Sequence, residues 1–313
     1  MNTRRQEDDD FTGWLLQSQI PTIRYLTLRE LMHLPEDDMA VQTAREAIMH
    51  EGPVPVILDK QGATGQWRDE HSFYTPKYTS SHWSLLLLAE LQADPTDVRF
   101  KQGVEWMLET TAPQITANLE KHVHDWECMW ANLLRYAIHC GYADDPRAQR
   151  MAAYLISTLD RAACICPHNH GLPCSWGAAR SLWALAAVPI EMRSAAFQEA
   201  IQNGLAFLLD DHRLREANYP TPGKVHPIWF KLNFPLFYQT DILFVLRVLR
   251  DLGALDHAGA RPALDWLAGQ CQANGRWQGA SPYRPRTWKV IGSRDEIDRW
   301  VSLQAATILD AAA

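Results

Sequence analysis

The sequence predicts an all-α fold arranged as a closed ring of about six helical hairpins. Three observations point there. Strand-type alternation is nearly missing from the 313 residues. A plan of loop, apolar helix, short turn and second helix returns along the chain. The aromatic landmarks Trp106, Tyr154, Phe207 and Trp266 are spaced 48, 53 and 59 residues apart, the size of a two-helix unit with its loops.

In order, residues 1–12 are charged and read as a frayed tail on a single domain spanning 1–313. Pro21 opens a helix with Ile23, Leu26, Leu28 and Leu31 on its apolar side. A second helix runs from Asp38 to His50 and stops at Gly52-Pro53, followed by a long loop from Pro53 to Pro76. From Thr79 a helix apolar almost all round follows, and after a short connection Asp97 caps the next, which ends near Leu108. The plan repeats with helices over Cys128–Cys140 and around Ala152–Ile156, then Trp176–Val188 and a helix ending at Leu209. A further round has Phe237–Leu249 and a helix through Leu264–Ala268, before a closing helix from Glu296 to Leu309. The first helix of each pair is the more uniformly apolar. That favours enclosure by an outer layer, hence a closed ring over an open solenoid.

Composition limits the function. A formal charge of -7 without a basic cluster argues against nucleic acid and anionic membranes. No apolar run reaches the roughly 20 residues of a membrane span, and the N-terminus lacks a signal-peptide core, so the expected location is the cytoplasm. Six cysteines in a chain this long point to metal binding or reactivity in a reducing compartment rather than to a disulfide framework.

The turns within hairpins are short and the connections between them long, which gathers the long loops at one end, the expected mouth of a central cavity. His82, Trp83, Trp126, Cys128, Cys174, Trp176, Tyr238, Asp241 and Trp300 open inner helices there. Trp130 and Trp229 complete the aromatic set expected to line a cavity for a small, largely apolar molecule. Between Cys164 and Trp176 lie three cysteines and two histidines. Cys128, Cys166 and Cys174 with His168 or His170 form a candidate zinc set, since zinc takes thiolate and imidazole in tetrahedral array. Asp241, entering an apolar helix, is a candidate acid or, equally simply, a helix cap. Tyr238 precedes Asp241 at the start of the same helix as a further catalytic candidate, and His82 is a candidate base or ligand.

Gln61-Gly-Ala-Thr-Gly-Gln-Trp67 and Gln272-Ala-Asn-Gly-Arg-Trp277 each set a Gln a few residues before Gly-x-Trp. With the hairpins, they resemble the QW repeats of squalene-hopene cyclases and related prenyltransferase-like α/α toroids. Pro21–Arg29, Lys77–Trp83 and Phe234–Tyr238 resemble shorter bacterial relatives of the cyclases. The resemblance implies a terpenoid cyclase- or prenyltransferase-like enzyme, with zinc as the candidate cofactor. The chain departs from the pattern in lacking the Asp-x-Asp-Asp acid motif, an Asp-Asp-x-x-Asp motif and the Asp-x-Cys-Tyr stretch of protein prenyltransferases. Glu36-Asp-Asp38 and Asp144-Asp145 read as helix starts. The rival reading is a zinc-stabilised helical-repeat binding or scaffold protein without chemistry.

Overall fold

The computed structural model describes residues 10–68, 72–159, 164–211 and 225–313, and these are mostly helical. After a helical segment at 10–16 come α1 (Pro21–Leu26, continued by a π turn over Thr27–Leu31), α2 (Met39–His50), α3 (Pro53–Leu58), α4 (Ser81–Glu90), α5 (Val98–Glu120), α6 (Glu127–His139) and α7 (Pro146–Leu159). A short antiparallel pair, β1 (Ile165–Cys166) and β2 (Leu172–Pro173), leads into α8 (Ser175–Ala186). Then follow α9 (Ala195–Ala206), β3 (Leu232–Asn233), α10 (Ile242–Asp251), α11 (Arg261–Gly269), β4 (Gly279–Ala280), which pairs in parallel with β3, and α12 (Arg294–Ala311).

The packing has two layers. α4, α6, α8, α10 and α12 touch in succession, and α12 returns to α1. The Thr22 hydroxyl of α1 donates to the Leu91 carbonyl just past α4. Every residue from Ser81 to Ala89 in α4 and from Ser175 to Leu185 in α8 is buried, as expected of helices enclosed on all sides. α5, α7 and α9 pack outside them, each burying one face. One apolar cluster runs from Trp14 to Ile308, with a small satellite of Leu28, Val41 and Ala44.

Four expectations are corrected. Residues 10–12 are helical, with the Phe11 ring 6.1 Å from Trp14; the rest of the expected tail, 1–9, lies outside the described residues. Pro53–Leu58 is a helix, because Pro53 at its start costs no hydrogen bond and Val54, Ile57 and Leu58 are buried. α5 continues past Leu108 to Glu120 through Pro113. Pro113 and Glu109 face solvent, so water can serve the carbonyl that the proline leaves free, while Thr111, Ile115 and Asn118 extend the buried face. α10 starts at Ile242 rather than Phe237, because interior side chains hold the backbone before it extended: Asn132 donates to the Phe237 carbonyl at 3.0 Å and Arg180 to that of Gln239 at 2.7 Å.

The two Gln…Trp loops close alike. Trp67 donates its indole N–H to the Ile57 carbonyl at 2.7 Å and its backbone N–H to the Ser81 hydroxyl at 2.9 Å. Trp277 does the same with Leu267 at 2.8 Å and Ser302 at 2.9 Å. Each indole thus satisfies a carbonyl in the last turn of one helix while its backbone is fixed to a later one. Gly65 and Gly275 turn with φ of +96° and +75°. A side chain on Gly65 would also meet the Gln102 carbonyl at 2.7 Å. The Gln61 amide bonds the Gly65 and Arg99 carbonyls, whereas Gln272 is exposed and bonds through its backbone to Arg276. Trp277→Phe removes one of two donors to the Leu267 carbonyl, the Gln270 N–H remaining at 3.1 Å, and is expected to cost about 0.5–1.5 kcal/mol in urea unfolding; an unchanged midpoint would show that the indole bond contributes nothing.

Candidate functional site

A cavity of about 300 Å³ lies where the N-terminal ends of α6 and α8 meet the loops. Its walls are Trp126, Cys128 and Met129 from the start of α6, Cys166 and His168 from the β1–β2 hairpin, and Cys174 and Trp176 at the start of α8. Tyr74, Lys77 and Tyr238 complete it from loops. Its volume is at the lower end of the roughly 300–1,000 Å³ usual for small-molecule sites.

Local folding explains each placement. Trp126 adopts a left-handed conformation (φ 63°) ahead of α6, and the Asp125 backbone is clasped by Tyr154, whose hydroxyl accepts from its N–H at 2.7 Å and donates to its carbonyl at 2.8 Å. His168 Nε2 stands 3.2 Å from Asp125 Oδ1, with its ring 6.0 Å from that of Trp126. Cys174 caps α8, its Sγ accepting from the Gly177 N–H at 3.3 Å. Lys77 Nζ lies over two rings, 4.8 Å from Tyr74 and 4.7 Å from Tyr238, and burial lowers its pKa.

The three thiols differ. The neighbouring Cys174 thiol and, less strongly, the backbone N–H groups of His168 and Asn169 favour the anion of Cys166, and together they outweigh its partial burial and lower its pKa. Cys174 is raised, first by the neighbouring Cys166 and then by burial. Burial pushes Cys128 up to about 12. Of the three, Cys166 is the one whose surroundings favour a thiolate. Beside it Glu127 is 2% exposed with no partner for Oε1 among the described residues, and burial raises its pKa to about 8.

Seven predicted residues line this cavity: Cys128, Cys166, Cys174, His168, Trp126, Trp176 and Tyr238. The others do not. His170 is exposed in the hairpin turn, with φ 57°. Asp241 is fully buried as the cap of α10: Oδ1 accepts from Phe244 N at 2.8 Å, and Oδ2 from the backbone and side-chain nitrogens of Asn233 at 2.8 and 2.7 Å. With both oxygens engaged away from the cavity, the acid assignment gives way to the capping one. His82 is fully buried beside the Tyr136 hydroxyl at 3.3 Å, and burial, with the Arg180 charge, lowers its pKa to about 3, so it is a neutral interior group. Trp83 supports the wall from behind, donating to the Tyr74 carbonyl at 2.8 Å. Trp130 donates to the Asp125 carbonyl at 3.0 Å, Trp229 is buried in the core, and Trp300 stacks on Phe234 at 4.0 Å, away from this cavity.

Cys128, Cys166 and Cys174 share the cavity wall, but the described residues contain no group of three or more His, Cys, Asp or Glu side chains placed to hold a metal. As arranged, they do not fit the expected zinc set. Lys77 and Tyr74 were not singled out from the sequence. Lys77 lies in a stretch that carries the family resemblance, but one lysine in a polar loop gives no sign of packing between two tyrosines. No protein-family model matches this chain, and neither does any curated protein. No described helix is long and apolar enough to cross a membrane.

Two outcomes follow. Alkylation by iodoacetamide at neutral pH should fall on Cys166, with half-maximal rate near pH 6, and Cys174→Ala should move that midpoint toward the ordinary thiol range of about 8.5. Peptide mass spectrometry checks both; equal labelling of Cys128 or Cys174 at pH 7 would contradict the assignment. For Glu127, a folded pKa above the unfolded one means that its contribution is complete below pH 4.5 and is lost as pH rises through about 8. Glu127→Gln should therefore be more stable than the parent at pH 9, by an amount on the order of 1 kcal/mol or more, and closely similar at pH 4. Thermal unfolding at the two pH values measures the difference, and equal gains at both would refute it.

Proposed function

We propose that this chain is an enzyme of the cyclase and prenyltransferase-like toroids that binds a small, largely apolar molecule in the aromatic cavity and uses the Cys166 thiolate as its nucleophile. The observation that carries the reading is the position of Cys166 in the cavity wall, beside Cys174 and His168, in surroundings that lower its pKa. The helix contacts from α4 through α12 to α1, with Thr22 reaching Leu91, support closure of the hairpins into a ring. The matched Gln…Trp loops support the toroid resemblance.

In this reading Trp126 and Trp176 take the apolar body of the substrate, and its electrophilic carbon faces Cys166. Lys77 offsets the negative charge that develops on the leaving group or oxyanion, and a cation held between two aromatic rings is already oriented for that task. Among the described residues no Asp or Glu lines the cavity, so thiolate attack rather than acid-initiated cyclisation is the form of chemistry proposed. Zinc has no step in it.

Geranyl diphosphate, an apolar chain with an anionic leaving group, and trans-cinnamaldehyde, a neutral conjugated aldehyde, serve as electrophilic probes. The expected result is a single adduct on Cys166 by intact-mass and peptide analysis, with a rate that saturates with probe concentration. Cys166→Ser should abolish it and Trp176→Ala should slow it about fivefold or more at low probe concentration, since a lost packing contact of about 1–3 kcal/mol corresponds to that factor or more. Unsaturable labelling, or labelling spread over other cysteines, would refute the reading. Stoichiometric zinc in the purified protein, with unfolding of Cys174→Ala, would replace it by the scaffold reading.

A further inference from the structure

Attack by one thiolate uses a single sulfur of the aromatic cavity, yet Cys128, Cys166 and Cys174 all line it and all are free thiols. The β1–β2 hairpin pairs two of them. Cys166 stands opposite Leu172. Side chains alternate along a strand, so Cys174, two residues past Leu172, emerges on the face that carries Cys166, and a diagonal pair across a hairpin keeps its side chains within reach. The two thiols are neighbours.

Their supports differ. Cys174 is fixed, because it caps α8, takes the Gly177 N–H at 3.3 Å and is 5% exposed. Cys166 is half-buried in a hairpin whose outer side chains, Ile165 and His168, are exposed. The Asn169 amide ties the turn by donating to the Pro173 carbonyl at 2.8 Å. A disulfide needs Cα atoms about 4.4–6.8 Å apart, and a tied hairpin with a solvent-facing side can draw in toward α8 as a unit. The other thiols have different settings: Cys128 stands on α6, and Cys164 donates to the Thr158 hydroxyl at 3.8 Å in the core.

We infer that Cys166 and Cys174 form a dithiol site that reduces an apolar organic hydroperoxide and closes to a disulfide. The Cys166 thiolate attacks the outer oxygen of R–O–OH. The O–O bond breaks, Cys166 becomes a sulfenic acid, and the alkoxide takes a proton from solvent and leaves as the alcohol. The Cys174 thiol then attacks the sulfenic sulfur; the S–S bond forms, the S–O bond breaks, and the hydroxyl departs with the Cys174 proton as water. The two sulfurs together lose two electrons and the peroxide gains them. Trp126 and Trp176 offer apolar surface for R, and the surroundings of Cys166 that favour its anion suit it to the first attack. The site shares Cys166 with the proposed function but needs no carbon electrophile.

Anaerobic treatment of the reduced full chain with one equivalent of cumene hydroperoxide tests this. Intact mass should fall by two hydrogen atoms, peptide mapping should join Cys166 to Cys174, and dithiothreitol should reverse the change, with cumyl alcohol released in equal amount. Cys174→Ser should stop at the sulfenic acid, trapped on Cys166 by dimedone, while Cys271→Ser, which removes an exposed cysteine outside this wall, forms the bond as the parent does. Hydrogen peroxide, lacking the apolar group, should oxidise the pair about tenfold or more slowly, the factor that about 1.5–3 kcal/mol of apolar burial supplies. If Cys174→Ser fails to fold, the disulfide map of the parent carries the test. The inference is overturned if the thiols stay reduced, if the bond joins another pair or two molecules, or if hydrogen peroxide reacts as fast. Cinnamaldehyde on the same parent protein reads the proposed function separately: an adduct without a disulfide overturns this inference alone, and a disulfide without an adduct supports it while overturning the other.

Discussion

Buried peptide groups must be paired, and the segment from His226 to Asp241 meets this demand with little regular structure of its own. Leu232 and Asn233 pair with β4, local turns take up Trp229 and Lys231, and the stretch before α10 is held by side chains from the inner helices. Arg180 of α8 gives an N–H to the Gln239 carbonyl, Asn132 of α6 gives one to Phe237, and Asn233 and Asp241 bind each other across the turn. Arg180 is 1% exposed, and burial lowers its pKa to about 9, so it remains a cation at neutral pH. Desolvating a charge at this depth costs several kcal/mol. The Gln239 carbonyl and the Phe244 ring, 4.0 Å from the guanidinium, recover part of that cost.

The aromatic cavity depends on the same lock. With Phe237 and Gln239 fixed on either side, Tyr238 has little freedom to leave the wall. The Gln239 side chain donates to the Tyr78 hydroxyl at 3.1 Å, and Tyr78 stacks on Phe237 at 4.1 Å, which holds the neighbouring Lys77 against Tyr238. Loop residues thus acquire the precision of helix residues, because buried side chains from α6 and α8 fix their backbone.

Periodicity was enough to read the helices, since long amphipathic and all-apolar runs have few alternatives. It was least informative where a side chain rather than a backbone pattern decided the outcome: Asp241 ends the apolar run before α10, and nothing in Phe237–Asp241 reveals that Asn132 and Arg180 will claim its carbonyls. α5 departs in the other direction, running past Leu108, because a proline on a solvent-facing turn does not stop a helix whose opposite face stays buried. Clustering brought out Cys166, Cys174, Cys128 and His168, since short loops and repeat spacing bring such residues together whatever their role. It did not distinguish a metal set from a thiolate with donors. That depends on a few tenths of an ångström and on burial, neither of which spacing encodes.

The distribution of protons among the thiols shows how burial makes this choice. Cys174 sits at the N-terminus of α8, where the helix dipole and the Gly177 N–H favour an anion, so position alone would make it the thiolate. The backbone N–H groups of His168 and Asn169 favour the anion of Cys166, which is half-buried, whereas Cys174 is 5% exposed. Once one sulfur gives its proton to the hydrogen bond between them, the charge rests on the partner with more donors and less desolvation, and the helix-capping thiol becomes a donor in its turn.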